Sequence, residues 1–419
     1  MIQIDQLPNG LTIVSDRMDS VETVSVGVWI DAGARLETPQ TNGVAHVLEH
    51  MLFKGTAKRT ARQIAAEIEA VGGHLNAYTG RETTAFYAKL LKGDMALGLD
   101  IIADMLTSAA LDAGELERER GVILQEIGQA EDTPDDIIFD LWQETAFPDQ
   151  PLGRPVLGRP DIVGAMHRDT VAGFRDTHYG ADRMVVVASG AVQHAELLAL
   201  AEDMLGGIGR RGPVTRDIAS YRGGEYRENR DLEQLHLVMG FPGPAMTNDT
   251  DSAVAGVLST LLGGGMSSRL FQEIREERGL VYSIYSFAQG YRDMGLFGVY
   301  AGTGEDQAAE LIPVLCGELQ KVTASVDADE MARAKAQMKA SLLMNLESTG
   351  ARADQLGQQM LLFGRPREAG EIAGLIDAVT EAEVTAMAAR IFSCAPTLAT
   401  IGPDAGVEAF SAIARRLAA

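Results

Sequence analysis

Gly43-Val44-Ala45-His46-Val47-Leu48-Glu49-His50-Met51-Leu52-Phe53 carries its apolar residues at Val44, Val47, Leu48, Met51 and Leu52, a helical spacing that predicts a buried or half-buried helix. On such a helix His46 and His50 stand one above the other on one face. Two imidazoles in that relation can share one zinc ion at about 2.0–2.1 Å. Glu49 sits beside the second histidine and need not be a ligand; it is placed to take a proton from an attacking water. A histidine pair at this spacing can also be a pair of satisfied core residues. The carboxylate between them weighs against that, because on a largely apolar helix it is costly unless paired or functional. The order H-x-x-E-H is that of an inverted zincin motif, and it calls for a third protein ligand elsewhere.

A charged helix expected over 115–132 offers that ligand. Its apolar stripe reads as Val122, Ile123, Ile127 and Ala130 with Glu126 in the middle, while Glu115, Glu117, Glu131 and Asp132 fall toward the ends. A carboxylate on a buried face needs a cation or hydrogen-bond donors. Zinc would serve, and so would an Arg or Lys. Glu119 projects from nearly the same side and is either a supporting acid or a solvated acid near the helix start.

At 419 residues the chain is too long for one core and fits two to four domains. It has 36 Lys+Arg against 59 Asp+Glu, a formal charge of −23, which argues against nucleic acid or an anionic membrane as partner. That balance fits a basic ligand such as a positively charged peptide. No apolar run approaches the ~20 residues of a membrane span, and the first residues lack the basic and apolar segments of a signal peptide. Cys316 and Cys394 lie far apart without partner histidines and read as buried small residues in a reducing compartment. The expected location is the cytoplasm.

Strands are expected over 11–15 and 23–30, the second alternating Val24, Val26 and Val28. After the histidine helix, Thr60 caps a helix running to Val71, and Gly72-Gly73 ends it. A strand pair over 74–78 and 83–91 and helices over 95–106, 136–147, 169–178 and 194–205 follow, with a strand over 184–189. Gly206-Gly207-Ile208-Gly209-Arg210-Arg211-Gly212-Pro213 breaks the pattern and is followed by Gly223-Gly224, which marks a linker. Beyond it the order returns: a strand over 236–241, an apolar helix over 253–262, a short helix over 268–277 and strands over 281–289 and 295–301. The division expected is 1–208, a metal-binding lobe; 209–228, a linker; and 229–419, a second lobe of the same layout. The fold class is α+β, with two similar lobes of mixed or antiparallel sheet packed with helices. Where the first lobe has His46, Glu49 and His50, the second has neither His nor Glu over 254–262. Gly263-Gly264-Gly265-Met266-Ser267-Ser268 is no phosphate loop, since no Gly-Lys-Ser/Thr follows, and reads as a flexible helix-to-helix turn. By themselves Arg275 and Tyr282 are structural residues.

Together these residues resemble the pitrilysin and insulin-degrading family of zinc peptidases, in its short branch typified by the mitochondrial processing peptidase. His46-Val47-Leu48-Glu49-His50 and the following Met51-Leu52-Phe53-Lys54-Gly55-Thr56 match its motif, Glu126 its third ligand and Glu119 its supporting acid. Asn76-Ala77-Tyr78-Thr79 is similar to its substrate-binding edge strand, and Arg275 with Tyr282 to the pair carried by its non-zinc half. The likeness spans nearly the whole chain. It implies one half of a clamshell with an internal chamber, a zinc endopeptidase with one Zn2+ per chain on His46, His50 and Glu126, and Glu49 as general base. It further implies that Asn76 and Ala77 pair with an extended peptide, that Tyr282 supports the oxyanion, and that Arg275 binds the peptide backbone or terminus. With both residue sets on one chain a homodimer is expected, the Arg/Tyr of one copy facing the zinc of the other; an unlike partner chain is the variant. The rival is a non-catalytic scaffold of the same fold, like the core subunits of respiratory complexes, whose zinc motifs are usually broken. A zinc hydrolase of non-peptide substrates finds no support in the residues.

Overall fold

The computed structural model describes residues 1–418. Eleven strands form two mixed sheets with helices on both faces. The first sheet contains β1 (Ile2–Gln6), β2 (Thr12–Arg17), β3 (Thr23–Ile30), β4 (His74–Thr79), β5 (Thr84–Leu91) and β6 (Met184–Gly190), in the order β1-β2-β6-β3-β5-β4. Only β2 and β6 run parallel. The second sheet contains β7 (Gly224–Glu228), β8 (Leu235–Gly243), β9 (Val281–Gly290), β10 (Gly295–Thr303) and β11 (Thr397–Ile401), in the order β7-β11-β8-β10-β9, with β7 and β11 parallel. The α+β class and the paired layout are as expected from the sequence.

Within the first sheet, β3 is buried almost end to end because each face has its own cover. Val24, Val26 and Val28 pack with Val44, Val47, Leu48 and Leu52 of the histidine helix (Val44–Leu52) and with Leu99 and Ile102 of the helix Met95–Ser108. The opposite face presents Val14, Trp29, Ala85, Val185 and Val187, and these are covered by Ala353, Leu356 and Met360 of the helix Thr349–Phe363. That helix lies so close that a Cβ on Gly357 would meet the Trp29 ring at 2.4 Å.

The second sheet repeats the arrangement with the roles exchanged. Its outer face, including Val238, Leu296, Tyr300 and Ala399, is covered by Ile138, Trp142 and Ala146 of the helix Pro134–Ala146. Here the helix brings the tryptophan and the strand brings the glycine: a Cβ on Gly240 would lie 2.1 Å from the Trp142 ring.

Each sheet therefore takes its second cover from the other half of the chain. The chain divides into Met1–Gln129 with Arg154–Asp217 and Met344–Arg367, and Ala130–Gly153 with Ile218–Leu343 and Glu368–Ala419. These compact units cut across the linear division at 208 and 229. A sheet with apolar side chains on both faces needs two covers, and alternation within one half does not show where the second comes from. Cys316 is buried as expected, whereas Cys394 is partly exposed. No helix of the described residues is long and apolar enough to cross a membrane.

Candidate metal centre

The histidine helix is held at its N-terminus by a residue the sequence did not single out. Glu37 is 4% exposed, and its Oε2 accepts the Gly43 N–H at 2.8 Å and the Asn42 amide at 2.9 Å, while Oε1 accepts the Ala45 N–H at 2.9 Å. A carboxylate there satisfies N–H groups that a helix start leaves open and sits at the favourable end of the helix dipole. Burial nonetheless pushes the Glu37 carboxyl up to about 7.

His46 and His50 project together from the buried side of this helix, their ring centroids 4.6 Å apart. Glu126 comes from the helix Ala113–Glu131, and its Oε2 lies 3.7 Å from His46 Nε2 and 3.6 Å from His50 Nε2. Two ligands on a tetrahedral ion at about 2.0–2.2 Å stand roughly 3.4 Å apart, so these donors fit a single ion. They are the one His/Cys/Asp/Glu cluster among the described residues with metal-ligating geometry, all ligand atoms within 4.8 Å. Burial and the neighbouring His50 push His46 down to about 4, keeping its ring neutral and able to ligate.

Glu119 is 5% exposed, and the reading of it as a solvated helix-start acid does not hold. Its Oε2 is 3.1 Å from His50 Nδ1, and its Oε1 receives the Lys54 ammonium at 2.6 Å. An acceptor on Nδ1 fixes the His50 tautomer with its lone pair on Nε2, the nitrogen that faces Glu126. The buried stripe of the helix is Leu116, Glu119, Ile123 and Ile127. Val122, expected in that stripe, is 47% exposed, and Glu126 lies at its margin with 42% of its side chain exposed. One helical face cannot hold Val122, Ile123 and Glu126 equally, and Leu116 with Glu119 sets which way it turns.

Glu49 Oε2 accepts the Thr79 hydroxyl at 2.5 Å. Its carboxyl is raised above the usual carboxylate range, chiefly by burial, with the Glu126 charge adding to the effect. Thr79 ends β4, the edge strand of the first sheet, which carries the expected substrate residues Asn76 and Ala77. Asn76 is exposed, and its Oδ1 accepts the Ala77 N–H at 2.9 Å. The roles of Lys54, Thr79 and Glu37 carried no signal in sequence: Lys54 and Thr79 act through Glu119 and Glu49, distant along the chain, and Glu37 acts through nearby N–H groups that the backbone must first bring to it.

Arg275 and Tyr282 belong to the second compact unit. The Arg275 guanidinium lies 4.6 Å from the Phe271 ring centre and 5.7 Å from that of Tyr282, so the two expected residues adjoin across a shared aromatic contact. Phe271–Glu277 is a π-helical turn, and Tyr282, at the start of the edge strand β9, is 76% exposed.

Residues 12–160 match the family model described as Insulinase (Peptidase family M16), and residues 165–338 match that of the Peptidase M16 inactive domain. An uncharacterized zinc protease of Streptomyces coelicolor is 40% identical over 407 residues, covering 95% of this chain and 88% of its own. The chain belongs to the M16 insulinase family of zinc proteases. A probable mitochondrial-processing peptidase subunit beta of Arabidopsis thaliana is 36% identical over 430 residues, covering 99% of this chain and 81% of its own. Among solved structures, a protease from Helicobacter pylori aligns with a TM-score of 0.87 at 21% identity, over 96% of this M16 chain and 99% of that one. A chain of complex III from Candida albicans aligns at 0.89 and 21%, over the full length of both. At that identity both support the fold alone. The "inactive domain" match, over 165–338, contains no histidine motif, and the insulinase match contains His46, Glu49, His50 and Glu126.

Proposed function

We propose that this M16 protease is an endopeptidase that cleaves peptides or small unfolded proteins, with His46, His50 and Glu126 holding one zinc ion and Glu49 acting as general base. The observation that carries the reading is the convergence of three ligand atoms within 4.8 Å beside a raised carboxyl that is not one of them. When bound, zinc supplies a Lewis acid that polarises a carbonyl and brings the pKa of a water toward ~7. Glu49 takes the proton of the attacking water and hands it to the leaving amine, breaking the C–N bond. A carboxyl raised by burial is closer in affinity to both the proton it takes and the proton it gives.

Glu119 holds His50 in the ligating tautomer. The peptide lies extended along the open edge of β4, pairing its backbone beside Asn76 and Ala77; the Ala77 N–H exchanges its local bond to Asn76 for one to substrate. Such pairing reads little of the side chains, so the charge of −23 is what favours basic peptides. Arg275 binds the peptide backbone or terminus, and Tyr282 donates to the oxyanion. Both residue sets on one chain favour a homodimer enclosing a chamber, in the cytoplasm.

The test compares wild type with Glu49→Gln for bound zinc and for cleavage of a quenched basic peptide of roughly 10–20 residues. About one zinc on each protein, with cleavage by wild type only, is the expected result. Zinc without cleavage in wild type favours the scaffold reading, and zinc on neither removes the ligand assignment. Light scattering of the active fraction checks the dimer: twice 44.8 kDa is expected.

A further inference from the structure

The two faces of β4 are tied to different helices. Leu75 and Ala77 pack on the core that contains the histidine helix, and Thr79, on the same face by alternation, donates to Glu49. Tyr78 points the other way, into the layer under the helix Thr349–Phe363. There its hydroxyl donates to Asp354 Oδ1 at 2.5 Å and accepts from Gln358 Nε2 at 2.7 Å. Asp354 Oδ1 also receives the indole N–H of Trp29, from the sheet interior, at 2.9 Å. Gln358 further accepts the Thr83 hydroxyl, at 3.4 Å, from the turn that follows β4.

An edge strand is bonded on one side only and is the part of a sheet freest to shift. The Tyr78 anchor limits that freedom at the residue next to Thr79. Burial and the Asp354 charge hold the Tyr78 phenol well above its usual range, so it stays a hydroxyl donor at any physiological pH.

We propose that Asp354 and Gln358 are positioning residues for catalysis: by gripping Tyr78 they fix the end of β4, and through Thr79 they aim the Glu49 carboxylate. The proposal rests on the peptidase reading above. It gives the helix Thr349–Phe363, supplied from far along the chain, a task beyond covering the sheet.

The test uses the full-length zinc enzyme and the variants Tyr78→Phe, Asp354→Ala and Thr79→Val. Arg352→Gln serves as control, because it breaks a different tie of the same helix, the 3.1 Å ion pair to Asp16. Backbone hydrogen exchange over 74–80 and the kinetics of peptide cleavage are both read. Tyr78→Phe and Asp354→Ala are expected to speed exchange in that segment and to lower kcat about tenfold with zinc content unchanged, the scale of a misaimed catalytic group. Arg352→Gln does neither. In a Thr79→Val background Tyr78→Phe is expected to lower kcat by less than about twofold, because the link it acts through is gone.

Unchanged exchange, unchanged kcat, or the same tenfold loss in both backgrounds each overturns the proposal. A wild type that cleaves nothing overturns the peptidase reading and this proposal with it, whereas active wild type with unaffected variants overturns the proposal alone. Should Asp354→Ala fail to fold, Tyr78→Phe carries the test, since it removes one hydroxyl and leaves the Asp354–Trp29 bond.

Discussion

Glu119 Oε2 stands 3.1 Å from His50 Nδ1 while Lys54 holds the other oxygen of the same carboxylate at 2.6 Å. The three form a chain from a partly buried ammonium to a nitrogen of the candidate metal site. Outer partners of this kind typically change metal affinity or activity by about 10–100-fold when removed. Glu119→Ala is expected to weaken zinc binding in that range, as measured by competition with a chelator of known affinity. Glu119→Gln, which keeps an acceptor for the His50 N–H, is expected to lose less. Equal losses in the two would assign the effect to charge alone.

The close approach of Gly357 to Trp29 can be tested by sign. In an unencumbered helix Gly→Ala stabilises by about 0.5–1 kcal/mol. Here the added methyl would sit 2.4 Å from the indole, so helix or ring must move. Overpacking of this kind costs about 1–3 kcal/mol. Gly357→Ala is therefore expected to lower the midpoint of urea unfolding, and a raised midpoint would show that the helix floats free of Trp29.

Much of this arrangement was legible in the sequence because its signals are local. His46, Glu49 and His50 declare themselves by helical spacing, and the Thr60 cap shows in structure as a reciprocal box with Gln63. Glu126 was found as an acid among apolar neighbours, yet the face was misjudged: Glu119 is the buried member and Val122 is exposed. A stripe only a few residues long fits more than one helical face, and tertiary packing chooses between them. Lys54, Thr79 and Glu37 stayed hidden because a lysine, a threonine and a glutamate at such places are ordinary until their partners fold against them. The cover helices were hidden for a larger reason. A repeat seen along the chain suggests two self-contained halves, and nothing in either half's periodicity records that Thr349–Phe363 lies on the sheet of β3.

That exchange of cover helices bears on how the chain can be cut. Residues 1–217 lack Thr349–Phe363, which leaves Val14, Trp29, Ala85, Val185 and Val187 without their cover. At roughly 1.5–3 kcal/mol for a large apolar side chain, the exposure approaches about 10 kcal/mol, comparable with the whole net stability of a domain at about 5–15 kcal/mol. The fragment 1–217 is expected to be insoluble or to lack near-UV circular dichroism when made alone. Co-expression with 218–419, which supplies the missing helix and takes 130–153 in return, is expected to yield a soluble complex. A well-folded 1–217 would show that the cover is dispensable.

His178, which is not one of the candidate ligands, gives the fold an acid-labile element. Its Nδ1 accepts from Arg183 Nη1 at 3.4 Å, and its ring packs on Phe174 at 4.6 Å between centroids. Burial, with the charges of Arg183 and Arg216, pushes its pKa down to about 4 from an ordinary 6.5. Between those values the unfolded ring binds a proton that the folded ring refuses. Stability is therefore fully present above pH 6.5 and is lost as pH falls toward 4. Because the ring is only half-buried, solvent screening reduces the contribution to about 1–2 kcal/mol. Urea unfolding of wild type and His178→Gln at pH 7.5 and pH 5 isolates it from His46, which shifts the same way, and from Glu37, which shifts oppositely. Wild type is expected to lose more stability than the variant on acidification, and an equal loss would mean that the His178 ring takes its proton in the folded chain.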